Sequence, residues 1–182
     1  MNQAYLDTVR LLLAAAPSIF ESPRFALKGG TALNLFVQEL PRLSIDLDVV
    51  FVDHTLDRET ALNAISAELS TAKARLEQLG FTAAIVKLVK GEEVKMFVEN
   101  ESARVKVEVN FIFRGTVLPV ERRDLVQSAQ ETFTANVRLP ILQVAELYGS
   151  KLVAAMDRQH PRDLFDVHVM LARYGLPAIQ RL

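Results

Sequence analysis

The run IDLDVVFV at 45–52 limits what this chain can become. Its β-branched residues suit a strand inside a sheet, yet two aspartates stand within it, one residue apart. Side chains at i and i+2 of a strand share a face, so Asp46 and Asp48 lie side by side with Cβ atoms about 7 Å apart. Paired carboxylates on an apolar strand repel each other and lose hydration. Such a pair is accommodated if a hard divalent cation neutralises it, Mg²⁺ above all, or if both groups sit solvated at the strand's end and cap a turn.

The residues upstream bear on that choice. FALKG (25–29) reads as a short strand broken by Gly29 and Gly30, after which Thr31 caps a helix over 31–40 that Pro41 ends. A glycine pair between strand and helix is often a tight turn. It also lets backbone N–H groups approach a phosphate, which the helix dipole favours. The two carboxylates follow within about 20 residues, as a phosphate cradle beside a Mg²⁺ site requires. That is the equipment of phosphoryl or nucleotidyl transfer.

The rest of the chain supplies a scaffold. Residues 4–16 have helical periodicity, stopped by Pro17, and Asp57 caps a helix over 58–79 that Gly80 terminates. FTAAIVKLVK (81–90), EVKMFVEN (93–100) and ARVKVEVNFIF (103–113) read as a strand meander, with turns at GEE and NES. ETFTANVRLPI (131–141) reads as a further strand, and 144–156 and 162–175 as helices. These elements predict a mixed α/β (α+β) core over 1–139 and a helical C-terminal part over 140–182.

In the strand RVKVEVN, Glu108 shares a face with Lys106 and Asn110. It is either a third acidic residue beside the pair or half of a surface ion pair with Lys106. The C-terminal helices carry Lys151, Asp157, Arg158, Arg162, Asp163, Asp166 and His168. Lys151 can meet a triphosphate as a point charge, and Asp166, on one helix face with Asp163, can orient it. A salt-bridged helix pair accounts for the same residues. His54, His160 and His168 have no ligand spacing and read as structural or surface residues.

A formal net charge of −1 gives no global basic field, so a nucleic-acid partner needs a local patch. The absence of cysteine excludes disulfides and thiolate metal sites. The N-terminal apolar run is interrupted by Asp7 and Arg10 and lacks a charged leader. No stretch reaches the roughly 20 apolar residues of a membrane span. The expectation is a soluble, cytoplasmic protein with no membrane partner.

The series KGGTALNLF…RLSIDLDVVF, VKVEVNFI and ELYGSKLVAAMDR…RDLFDVHVM resembles the AbiEii/AbiGii family of nucleotidyltransferase toxins, which includes the MenT toxins. The likeness runs over about residues 25–172. It implies the DNA polymerase β-like nucleotidyltransferase fold, a mixed sheet flanked by helices. It places Gly29, Gly30, Thr31 and Ser44 near the nucleotide phosphates, Asp46 and Asp48 on Mg²⁺, and Lys151 and Arg158 with the triphosphate. It also implies that Asp166 is essential beside Lys151. Glu108 falls where the wider superfamily has a third metal-binding acidic residue, more often Asp. The resemblance further implies transfer of a nucleotide from an NTP to an acceptor, with the tRNA 3′ end as precedent, and neutralisation by a cognate antitoxin.

Two other readings fit the same residues: a nucleotidyltransferase acting on a protein or small molecule, and a nucleotide-binding subunit without turnover. Candidate RNA-facing cations are Lys87, Lys90, Lys95, Arg104, Arg114, Arg122, Arg123 and Arg138. If they act together on tRNA, filter binding shows affinity falling steeply as salt is raised. Salt-insensitive binding counts against tRNA.

Overall fold

The computed structural model describes residues 3–87, 93–110 and 115–179. Seven strands form one mixed sheet: β1 (Phe25–Lys28), β2 (Asp46–Phe51), β3 (Thr82–Lys87), β4 (Glu93–Glu99), β5 (Arg104–Asn110), β6 (Glu121–Asp124) and β7 (Arg138–Ile141). Their order is β3-β4-β5-β2-β1-β7-β6. The strand with the two aspartates is therefore central. It pairs antiparallel with β1 and parallel with β5. The expected meander is present as antiparallel β3–β4–β5. Its outlying residues 88–92 and 111–113 fall outside the described part of the chain.

Alternation explains what each face meets. Leu47 and Val49 lie in register with Val107 and Val109, which lie in register with Met96 and Val94. All six are buried. Helices α1 (Gln3–Ile19) and α3 (Arg58–Gln78) contact each other and pack on β2, β4 and β5 among other strands. Leu12, Ile65 and Leu69, on these helices, have no exposure. Each such side chain contributes about 1.5–3 kcal/mol by leaving water. The opposite face carries Asp46, Asp48, Lys106, Glu108 and Lys95.

Helix α2 (Gly29–Phe36) joins β1 to β2 and packs against both, and against α5 (Val144–Arg158). α4 (Gln127–Phe133) precedes β7, and α5 pairs with α6 (Pro161–Ile179), which bends at Gly175, where φ is +67°. The division expected at 139/140 falls inside β7. No helix among the described residues is long and apolar enough to cross a membrane.

Three local expectations are corrected. Helix α1 runs through Pro17 to Ile19. Proline removes one hydrogen bond, but Ile19 and Phe20 are buried and the Phe20 amide donates to Ala16 O at 3.0 Å, so packing carries the helix one turn further. Thr31 is not a cap: helix α2 begins at Gly29 with Lys28 in the cap position, and it ends at Phe36 instead of 40. Leu40 then adopts φ +52°, a left-handed turn before Pro41. Residues 131–133 belong to α4, not to a strand. There Ala129 and Phe133, one turn apart, are both buried, and Thr134 ends the helix at φ +50°. Tertiary burial overrides the β propensity of Thr-Phe-Thr.

At the start of α3, Asp57 accepts the Thr60 amide at 2.9 Å, as a capping aspartate should. Replacing Asp57 with Ala is expected to lower Tm in thermal melts, leaving ligand binding at Asp46 and Asp48 unchanged.

Candidate active site

Strand β2 presents its two carboxylates beside the start of α2. Gly29 has φ +75°, and a Cβ built there would stand 2.1 Å from Asp48 Oδ2. A Cβ on Gly30 would stand 3.0 Å from both Arg42 Nη2 and Ser44 Oγ. The glycine pair therefore admits the protein's own polar groups against the first turn of α2: a carboxylate at Gly29, a guanidinium and a hydroxyl at Gly30. The buried Thr31 hydroxyl donates to Asp46 O at 2.5 Å and lies 3.0 Å from Ser44 Oγ. It clips α2 to the strand entrance from below.

A second wall comes from α5 and α6. Lys151 is 7% exposed, and its Nζ donates to Asp163 Oδ1 at 2.9 Å and lies 3.2 Å from Asp166 Oδ2. Asp166 has no exposure and also accepts a two-pronged contact from Arg42, Nε to Oδ1 at 2.8 Å and Nη2 to Oδ2 at 2.6 Å. Arg158 Nη2 sits 3.0 Å from Asp163 Oδ2. Three cations thus share two buried carboxylates.

Between the walls lies a cavity of about 260 Å³. Gly30, Ser44, Asp46, Asp48, Lys151 and Arg158, all expected at the site, line it. So do Asp163 and Arg162 from the C-terminal polar set. Thr31 and Asp166 are buried behind the lining, and Gly29 backs Asp48. Glu108 is not among the lining residues; it stands on β5, beside Asp48 in register. Its two oxygens lie 2.7 Å from Lys106 Nζ and 3.3 Å from Lys95 Nζ. Lys106 thus pairs with Glu108, and its Nζ also lies 3.8 Å from Asp46 Oδ1.

Two lining residues escaped the sequence reading. His160 is exposed as expected, but it faces the cavity, its Nδ1 accepting the Arg162 amide at 3.1 Å. Arg42 had a legible signal. Arg42, Ser44, Asp46 and Asp48 recur at every second position of RLSIDLD, with Leu43, Ile45 and Leu47 between them. That is the period of an extended chain with one polar edge, and all four line the cavity.

The electrostatics single out Asp48. Burial raises its pKa above the usual 3.8, Lys28 opposes the rise, and the charges of Asp46 and Glu108 add to it. Burial also works against the charge of Glu108, but the hydrogen bond and charge of Lys106, then Lys95, hold that carboxyl below its ordinary value. The hydrogen bond to Glu108 raises Lys106. At Asp163 burial is likewise outweighed by Lys151 and Arg158, and its pKa is lowered.

Asp46 and Asp48 fit a hard divalent cation. They are oxygen donors on one face of one strand, Asp46 is 42% exposed, and Asp48 carries a net cost when ionised that Lys28 and Lys106 only partly offset. Among the described residues no three acidic or histidine side chains converge on one point. The protein's own contribution is the pair, with Glu108 held by lysines.

A central aspartate pair on a mixed sheet, facing a wall of lysine and arginine, defines a nucleotidyltransferase type of fold. The structure superposes on MenT4, a nucleotidyltransferase toxin from Mycobacterium tuberculosis H37Rv, with a TM-score of 0.64 and 23% identity. The match covers 97% of this chain and 61% of that one. The profile of the family described as nucleotidyl transferase AbiEii toxin, type IV toxin–antitoxin system, matches residues 10–181, and the chain belongs to that family. None of the curated proteins matches it significantly. The family and the nucleotidyltransferase fold expected from the sequence are both found.

Because the folded-state pKa of Asp48 lies above its unfolded value, its ionised form opposes folding at neutral pH. Asp48→Asn is expected to raise Tm at pH 7. The gain should shrink as pH falls through the folded pKa and vanish below the unfolded value of 3.8. Added Mg²⁺ should raise the Tm of the parent protein and not that of the variant. Scanning calorimetry across pH checks both.

Proposed function

We propose that this protein transfers a nucleotide from a nucleoside triphosphate to a hydroxyl of an RNA acceptor, with the tRNA 3′ end as the leading candidate. The observation that carries the reading is the placement of the Asp46–Asp48 pair across one cavity from Lys151 and Arg158. Carboxylates suited to a cation thus face cations suited to a polyphosphate. The entrance and start of β2 supply the first set and helices α5 and α6 the second, so the nucleotide binds between them.

Asp46 and Asp48 would hold a Mg²⁺, which would supply positive charge at the α-phosphate and acidify the attacking hydroxyl. The chain's own groups do the remainder. Lys151, oriented by Asp163 and Asp166, and the more exposed Arg158 meet the charge that develops on the leaving group. Ser44 and the Gly29–Thr31 backbone hold the phosphates at the start of α2. The acceptor oxygen forms a bond to the α-phosphorus in line with the breaking bond to the bridging oxygen, releasing pyrophosphate and a proton.

Family membership supports a toxin role, with a cognate antitoxin as partner. MenT4 is itself named a nucleotidyltransferase toxin. For the acceptor the support is thinner. Lys95 and Arg104 lie on β4 and β5, whereas Arg122, Arg123 and Arg138 lie on β6 and β7 at the far end of the sheet. That separation, with a net charge of −1, favours a protein or small-molecule acceptor as the second reading. Lys90 and Arg114 fall outside the described residues.

The test incubates total tRNA with Mg²⁺ and each α-labelled NTP in turn, beside Asp46→Ala. We expect label in tRNA from one preferred NTP and loss to background in the variant. Label in protein or in a small molecule instead establishes the second reading. Nucleotide binding with no labelled product from any acceptor establishes a binding subunit.

A further inference from the structure

Arg42 lies in the loop between α2 and β2, far in sequence from the helices it holds. Its guanidinium has five N–H donors. Nε donates to Asp166 Oδ1, Nη2 to Asp166 Oδ2, and Nη1 to the Leu43 carbonyl at 3.1 Å. One N–H on each terminal nitrogen is left over. The side chain is 20% exposed and lines the cavity. Nη2 lies 3.0 Å from the point where a Cβ on Gly30 would stand, and Ser44 Oγ lies equally close to that point. Nη2, with its remaining N–H, therefore sits beside the first backbone turn of α2, in the cavity that Asp46, Asp48 and Lys151 also line.

Asp166, by contrast, has no exposure and cannot reach a ligand. It fixes Arg42 on one side and Lys151 on the other, 3.2 Å from Nζ. A structural role alone would not need the guanidinium to line the cavity with N–H groups to spare. A planar guanidinium with two parallel donors is suited to phosphate oxygens as an ammonium is not.

We propose that Arg42 is a phosphate-binding residue of the nucleotide site, that Asp166 is the positioning residue behind it and Lys151, and that Arg42 grips the polyphosphate tail instead of the nucleoside. The proposal rests on the nucleotidyltransferase reading. It predicts that loss of the fork weakens nucleoside triphosphates more than monophosphates, whichever base is preferred.

The experiment measures direct binding by calorimetry, without acceptor, of the four NTPs and their monophosphates to the parent protein, Arg42→Lys and Arg42→Gln. Arg42→Lys keeps a charge against Asp166, and its Tm reports whether the fold survives. The expected result is a native-like Tm for Arg42→Lys and a triphosphate Kd weakened about 10- to 100-fold, the range for a lost charge-assisted contact. The monophosphate Kd should change less than threefold. Equal weakening of both, or none, overturns the proposal. Should both variants unfold, protection decides in the parent protein: inorganic tripolyphosphate should shield Arg42 from phenylglyoxal, read by peptide mass spectrometry, and no shielding overturns the proposal. If the parent protein binds no nucleotide at all, the nucleotidyltransferase reading itself has failed.

Discussion

The structure depends on one carboxylate that never meets water. A buried ionised group is tolerated when it is paired and hydrogen-bonded on every side, and Asp166 is: Arg42 takes both oxygens and Lys151 shares one. Those partners come from opposite parts of the chain. Arg42 belongs to the entrance of β2, Lys151 to α5 and Asp166 to α6, so a single charge fixes the spacing between the aspartate strand and the cationic wall. The C-terminal helices are also held by hydrogen bonds to and from the segment that follows α2. Arg173 donates to the Val37 carbonyl at 2.9 Å, and Gln38 reaches the buried Tyr148 hydroxyl at 3.2 Å.

Much of this was legible in the residues, and the failures have physical causes. IDLDVVFV could be read as a central strand because its period of two separates Asp46 and Asp48 from Leu47 and Val49. The long α3 was readable because Asp57 and Gly80 mark its ends. The C-terminal set could be listed but not arranged: the pairing of Asp163 with Lys151 and Arg158 is set by how two helices pack. Arg42 was missed because it lies before the strand proper, where attention to strand limits stops. The helix at 127–133 was missed because Thr132, Phe133 and Thr134 prefer strands when taken alone, and the burial of Ala129 and Phe133 reversed that preference.

The glycine pair was read as an opening for a phosphate, and its geometry adds a nearer reason. The position a Cβ would occupy is taken by Asp48 at Gly29 and closely approached by Arg42 and Ser44 at Gly30. These contacts press a carboxylate against a helix start, in a setting that raises its pKa. Local stability is given up to keep a charge where a cation is expected. Such conflict between a residue and its surroundings is characteristic of functional sites.

The order of elements along the chain has a temporal consequence. The aspartate strand is complete by Phe51 and its parallel neighbour by Asn110, while Lys151, Asp163 and Asp166 come from the last two helices. Ribosomes add about 5–20 residues per second, and the chain folds as it emerges. Once β5 has emerged it can pair with the aspartate strand, but the cavity then has one wall. Until α5 and α6 follow, the carboxylates stand without Lys151 and Arg158 across from them, and the cleft becomes a site only when both helices have packed.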